Sequence, residues 1–455
     1  MSRYVKNQIL ALIYRLLQGL AILSLNLYFR KIIYIGRENL KQKGPTLVLS
    51  NHPNTAIDPL IALMYYREKC YLLANYSLFK NPVSGAILRT LFCIPVQRVQ
   101  DVAPGQPLQN EDTFLEADTH LQSGRNIYMA PEGTSYAERH IRPVKTGFAR
   151  IVFSAADKTD FKLPLKILPI GITYYDGLKF GSDVVVEVGT PISIEGFQKS
   201  YRENPRQAVS DLADLIENQL IALTVNCRSA EEDKFLKKLE TLLQHQNPLD
   251  IARRTPVRGG EGGHERSRKL IKALHDWQKR DETGYDSFVK EVETYFDKLA
   301  QKGLRDKVSD ATVRAPLSSS QWSPTDSILG ILIALPAFVA GLIGNFIPAW
   351  FSNKAIKWLN VDEAYDSTIR LCAGLIAFPL YWWGLCEYLF AKSDLTGVQT
   401  LVYLLLVIGT GLVAWRVYTE GGRLINFYRY RRADKEGALS KLRQPILEVL
   451  NRLIF

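Results

Sequence analysis

Three apolar runs near the end of the chain, residues 328–351, 369–390 and 398–417, limit its fold more than any other feature. A run of about 20 apolar residues can cross the hydrocarbon core of a bilayer, where only helices and closed barrels satisfy their own backbone. The first run carries Pro336, Gly341, Gly344, Asn345 and Pro348. These residues predict a broken or re-entrant segment followed by a two-helix hairpin, together spanning residues 321–420. The alternative is three plain crossings. Arg423, Arg429, Arg431, Arg432 and Lys435 follow the last run. Such a cluster stays cytoplasmic, so residues 421–455 are expected to form a basic cytoplasmic tail. Phe427, Tyr428 and Tyr430 interleave with it, a mixture that single-stranded nucleic acid would also suit. Directly after an apolar run it points instead to membrane phospholipid as partner and not to nucleic acid.

The N-terminal apolar stretch, residues 8–29, is too long for a cleavable signal and is interrupted by Arg15. On a 100° wheel Gln8, Arg15 and Asn26 lie within about 20° of one another, and Gln18 about 80° away. Residues 1–31 are therefore expected to be an amphipathic helix in the membrane interface. A helix buried on the following domain is the alternative. Residues 32–228 alternate short apolar runs with helical patterns, the signature of an α/β sheet flanked by helices. Strands are expected at 46–50, 71–74, 93–97, 126–130, 167–174 and 184–188. Leu212, Leu215, Ile216, Leu220 and Leu223 form one helical stripe. Residues 229–320 read as a charged helical segment, with a solvated face at 234–240 and a flexible linker at 258–265, RGGEGGHE. The net charge of +11 favours anionic partners such as lipid head groups or phosphorylated small molecules. The five cysteines lack CxxC spacing and read as reduced thiols. His120, His245, His264 and His275 have no carboxylate or second histidine at ligand spacing, so no metal site is expected, and His140 reads as a solvated loop histidine.

The stretch most suited to chemistry is SNHPNTAIDPL, residues 50–60. A strand ends at Ser50, and His52 and Asp58 follow. In a regular helix the two side chains would point about 120° apart. Pro53 suggests a helix start with His52 on the turn before it, and a turn that folds back is needed to bring Asp58 to the imidazole. A histidine so paired takes a proton from an alcohol, and the carboxylate fixes its tautomer. Further loops follow other strand ends: Gln97–Arg98, then Glu132–Gly133–Thr134–Ser135, then Lys145. Open α/β sheets place ligands at such ends. Arg98, Arg139 and Lys145 are cations that can grip a phosphate. Gly133 permits close backbone approach, and the hydroxyls at 134 and 135, with a backbone donor near Gly133, can serve an oxyanion.

The order and spacing of these pieces resemble the glycerol-phosphate acyltransferase family, which includes lysophosphatidate acyltransferases. The resemblance spans roughly residues 30–225. The family's His–Asp motif has four residues between its ends, whereas His52 and Asp58 have five. NHPNTAIDP resembles the fungal-type glycerol-3-phosphate/dihydroxyacetone-phosphate subgroup and related bacterial proteins. Ile94–Pro95–Val96–Gln97–Arg98 looks like the motif whose arginine holds the acceptor phosphate. Glu132–Gly133–Thr134–Ser135 looks like the Glu-Gly motif. Lys145 and Gly147 fit the Lys-x-Gly element, and Pro169 the apolar proline motif, placed at the acyl channel. The resemblance implies an acyltransferase-type sheet and an integral membrane enzyme with its catalytic domain on the cytoplasmic face. It implies transfer from acyl-CoA or acyl-carrier protein to glycerol 3-phosphate or 1-acylglycerol 3-phosphate, with His52 as base and no cofactor beyond the acyl carrier. A membrane acyl-thioester hydrolase and a non-catalytic membrane scaffold are the competing expectations.

Overall fold

The computed structural model describes residues 3–98, 101–103, 107–175, 179–244, 261–304, 324–392, 396–434 and 437–454. The chain forms two compact units. One comprises Met1–Arg228 with Asp362–Thr368, the other Ser229–Val361 with Ile369–Phe455.

The first unit is built on a mixed sheet of β1 (Lys31–Ile35), β2 (Thr46–Ser50), β3 (Cys70–Asn75), β4 (Cys93–Val96), β5 (Asn126–Met129), β6 (Lys166–Tyr174), β7 (Asp183–Val188) and β8 (Ile192–Ser193). Its order is β1-β7-β6-β2-β5-β3-β4, with β8 pairing β6. The β6 pairings with β7 and β8 are antiparallel and the rest parallel. All six expected strands form. The two that sequence reading missed lack a usable period. β1 runs Ile–Ile–Tyr–Ile straight after an apolar helix, and β8 is two residues long.

One face of the sheet is covered by α4 (Glu111–Gln122), α5 (Gly147–Lys158) and α7 (Pro205–Leu223). Leu47, Leu49, Ile127 and Ile167 of the strands meet Leu121, Phe148, Val152, Phe153, Leu212, Ile216 and Leu220 there. The expected α7 stripe thus faces the core, with Leu215 packed against its rim. Pro169 lies in the middle of β6 and is buried. Its carbonyl accepts from Gly189, at the gap where the neighbour of β6 changes from β8 to β7. A missing N–H costs no ladder bond there.

Helix α1 (Arg3–Tyr28) uses two faces. Leu25 and Tyr28 are buried, while Leu12, Leu16, Leu20, Leu23 and Leu27 form an exposed apolar row. Gln18, off the polar face by its wheel position, donates its amide to the carbonyls of Leu63, Met64 and Tyr66. These carbonyls follow the end of α2 (Ile57–Ala62), where helix carbonyls lack partners.

In the second unit α8 (Ala230–Gln244), α9 (Glu261–Arg280), α10 (Glu282–Gln301) and α14 (Ala438–Ile454) pack together. The face expected to be solvated at 234–240 is only partly so. Glu240 is buried and accepts from Ser267 at 2.6 Å, and Lys238 pairs with Glu293. Of the expected linker, residues 258–260 lie outside the described residues, and Glu261 to Glu265 form the first turns of α9. The expected basic tail is also corrected. The last apolar helix continues to Ala433, and Leu439, Ile446, Leu447 and Leu450 of α14 are buried. Their spacing makes one helical stripe that needs a partner. Lys435 lies outside the described residues, as does His245.

The expected break in the first apolar run does not occur. α11 (Pro324–Leu359) is one continuous helix with Pro336 and Pro348 inside it. It runs antiparallel to α13 (Gly397–Ala433): Ser327 meets Glu420, and Asn345 donates to the carbonyl of Val407 at 3.0 Å. A Cβ on Gly341 would stand 2.0 Å from the Thr410 carbonyl oxygen. The small residues that suggested a break instead let two backbones approach, and a packed neighbour holds a proline-containing helix together. Between them in sequence lies α12 (Asp366–Lys392). Among the described residues, four helical stretches are long and apolar enough to cross a membrane: Leu10–Tyr28, Thr325–Leu359, Glu363–Tyr388 and Gly397–Gly422.

Candidate active site

β2, β3, β4, β5 and β6 run in parallel, so their carboxyl ends share one edge of the sheet. His52 follows β2, Arg98 follows β4, Glu132 and Gly133 follow β5, and Tyr174 ends β6. The chain leaves β2 through Asn51, whose side chain exchanges two hydrogen bonds with the backbone of Ile172, at 2.8 and 2.7 Å. It then turns sharply. The helix α2 begins at Ile57 and not at Pro53, which corrects the sequence expectation. Ile57 N–H donates to the Asn54 carbonyl, and Thr55 takes a φ of +37°. This turn returns Asp58 to His52.

The result is a His–Asp pair. His52 Nδ1 lies 2.9 Å from Asp58 Oδ2. Asp58 is 0% exposed, and its other donors are the Asn54 N–H on Oδ2, at 2.7 Å, and the Tyr174 hydroxyl on Oδ1, at 2.8 Å. A buried carboxylate needs such partners to remain charged. A carboxylate accepts, so Nδ1 is the donor of this pair, and Nε2 lies on the other side of the ring. The His52 side chain is 22% exposed. Burial, and then the nearby Asp58 charge, push the Tyr174 phenol up, so it stays a donor. Sequence reading missed both Asn51 and Tyr174. Asn51 stood in the motif itself, and Tyr174 ended an expected strand at the ligand edge.

Glu132 is 7% exposed and faces the backbone of this turn. Oε1 accepts from the His52 N–H at 3.0 Å and Oε2 from the Arg142 N–H at 2.9 Å. Burial raises its carboxyl above the usual range, against the lowering effect of these two bonds. Tyr136 N–H closes the clamp on the His52 carbonyl at 3.3 Å. Gly133 has φ +74°, and a Cβ there would meet Lys145 Nζ at 2.7 Å. The space the glycine leaves open is therefore used by the lysine. Gly133 N–H already donates to the Ala130 carbonyl, so the expected oxyanion donor at this residue is occupied. Thr134 follows it, half-buried.

The cations differ in state. Arg98 Nε and Nη2 each hold Asp101, both at 3.0 Å, and its backbone N–H also donates to that carboxylate. Burial opposes the Asp101 charge, but the Arg98 bonds outweigh it and hold the carboxyl below its usual range. Arg139 is 7% exposed, with its guanidinium over the Tyr175 ring. Its neighbour His140 donates Nδ1–H to the Cys227 carbonyl at 2.6 Å, a structural role. Lys145 is exposed and makes no ion pair among the described residues. Pro169 is packed against Gly189 within the sheet.

Residues 31–173 match the model of the acyltransferase family. Glycerol-3-phosphate O-acyltransferase 1 of Saccharomyces cerevisiae is 33% identical over 259 residues, 56% of this chain and 32% of that protein. The 1-acyl-sn-glycerol-3-phosphate acyltransferase of Borreliella burgdorferi is 25% identical over 214 residues, 47% of this chain and 73% of that protein. A solved 1-acyl-sn-glycerophosphate (LPA) acyltransferase from Thermotoga maritima overlaps 47% of this chain and 83% of that one, at 18% identity and a TM-score of 0.34. This chain spans 16% and 32% of the two curated yeast relatives it matches. The segment that matches this family model, residues 31–173, is the one that holds His52, Asp58, Arg98, Glu132 and Lys145.

Proposed function

We propose that this chain transfers a fatty acyl group from a thioester, acyl-CoA or acyl-carrier protein, to a hydroxyl of glycerol 3-phosphate or 1-acylglycerol 3-phosphate. The observation that carries this reading is the 2.9 Å pairing of His52 Nδ1 with a fully buried Asp58, which leaves Nε2 as the available base. Nε2 takes the acceptor's hydroxyl proton as the oxygen attacks the thioester carbonyl carbon. The C–S bond then breaks, and the departing thiolate takes the proton back from the imidazolium. A thioester is already activated, so no serine or cysteine nucleophile is needed. Asp58 orients the ring and stabilises the imidazolium. The acceptor phosphate is held by Lys145 and by the edge of Arg98 that Asp101 leaves uncovered. Glu132 holds the His52 backbone. The exposed leucine row of α1 and the three C-terminal apolar helices keep the protein in the membrane, with the catalytic unit on the cytoplasmic face.

The test uses full-length protein in lipid, labelled acyl-CoA, and glycerol 3-phosphate, dihydroxyacetone phosphate and 1-acylglycerol 3-phosphate side by side. Transfer to one of the glycerol phosphates is expected, with a loss of roughly a hundredfold or more in His52→Ala. Acyl release that is indifferent to every acceptor would identify a thioester hydrolase instead. Full turnover in His52→Ala would rule the scheme out.

A further inference from the structure

The segment Asp362–Thr368 follows α11 and includes the first residues of α12, yet it belongs to the first unit. Asp362 accepts from the Ala364 N–H and starts a short 3-10 turn, Glu363–Tyr365. Ala364 is 1% exposed and Ser367 0%. Both rest on the turn between His52 and Asp58. Ser367 Oγ donates to Asn54 Oδ1 at 2.5 Å. Thr55 Oγ1 donates to the Ala364 carbonyl at 3.2 Å and lies 2.7 Å from Thr368 Oγ1. These two turn residues are the ones that need support. Thr55 is β-branched at positive φ, a conformation held only where surroundings over-determine it. Asn54 supplies the backbone N–H that Asp58 accepts.

We propose that Ser367, with Thr368, is a positioning residue for the His52–Asp58 pair, acting through the Asn54–Thr55 turn from a point 194 residues past the family match that ends at residue 173. The order of connection is Ser367 hydroxyl, Asn54 side chain, Asn54 N–H, Asp58 carboxylate, His52 Nδ1. The link within Asn54 is covalent and the other three are hydrogen bonds, and Ser367, Asn54 and Asp58 are buried, so that a lost partner there is not replaced by solvent. The residues that complete the acyl-transfer site therefore include a segment of the membrane region. As a role in catalysis, the inference rests on the acyl-transfer reading above.

The test is a cycle of Ser367→Ala, Asn54→Ala and the double variant in the full-length protein in lipid. Ser367→Ala is expected to lower kcat about five- to tenfold, the kinetic weight of one neutral hydrogen bond, with the acceptor KM unchanged. Ser367→Cys keeps size and a weak donor and should recover part of the loss. In the Asn54→Ala background, Ser367→Ala should add nothing. An unchanged kcat, additive losses, or a loss that moves KM with the unfolding midpoint and is not relieved by cysteine would each overturn the proposal. A second arm needs no turnover: carbethoxylation of His52 by diethyl pyrocarbonate, followed by mass spectrometry. Its rate should change severalfold in Ser367→Ala, and an unchanged rate overturns the positioning role. Wild-type protein that transfers no acyl group would sink the functional reading, while this arm still decides on Ser367.

Discussion

Asp58 is a charge with no access to water, and its place in the fold is secured by the donors around it. Two of them, His52 and Asn54, come from the same turn. The third, Tyr174, comes from the neighbouring strand. Tyr174→Phe removes one donor and leaves Oδ1 buried without it, a cost of about 1–3 kcal/mol. The expected outcome is a lower unfolding midpoint together with a kcat reduced about tenfold and an unchanged acceptor KM, since the carboxylate that orients the ring of His52 is held less firmly. Unaltered turnover in Tyr174→Phe would mean that Asp58 is held well enough by its own turn. At this scale the sequence singles out His52 and Asp58 as candidates, because the chain has only six histidines and this one stands in a turn-forming stretch with a carboxylate close by. It placed Glu132 as a ligand to substrate, whereas both of its oxygens accept from backbone. A carboxylate that caps two N–H groups and one that faces a ligand have the same letter, and the choice depends on what the fold brings against it.

Elements with a clean period were legible. All six expected strands form, within a residue or two at their ends, because alternation and apolar runs are local signals. The misreadings share a cause, which is partnership. Proline and glycine in α11 promised a break, but the backbone of α13 packs so closely against them that the helix continues. The basic residues after α13 predict a tail, but the apolar stripe Leu439, Ile446, Leu447 and Leu450 needs a partner and is buried. Gly171 in β6 shows how tightly such partners fit. A Cβ there would stand 2.4 Å from the Leu223 carbonyl oxygen and 2.6 Å from Leu223 Cβ, at the end of α7. Gly171→Ala is expected to destabilise the first unit by about 1–3 kcal/mol, the usual cost of overpacking. Thermal unfolding of the purified variant measures it, and a wild-type midpoint would show that α7 can shift freely.

Over the whole molecule, the pairing of α11 with α13 has a consequence for the second unit. Ser327 near the start of α11 meets Glu420 near the end of α13, and Lys302 donates to the Ala433 carbonyl at 2.7 Å. The two flanks of the apolar region therefore lie at one end of the pair. Single cysteines at Lys302→Cys and Arg432→Cys, in a background without Cys372 and Cys386, should label with a membrane-impermeant maleimide from the same side of sealed vesicles. Labelling from opposite sides would refute the antiparallel pair. The charge cluster alone predicts a re-entrant segment. The charge rule constrains sides but does not say which helices lie together.

What the sequence determined by itself was whatever neighbours along the chain decide: strand periods, the apolar runs and the end of β2 at Ser50, just before His52. The tertiary structure alone decided which nitrogen of His52 is left available, that Tyr174 and Glu132 hold the turn, that α1 has two working faces, and that Ser367 touches Asn54 across 313 residues. Those contacts join positions far apart in the chain, and no local pattern of side chains distinguishes a hydroxyl that will meet such a partner from one that will face solvent.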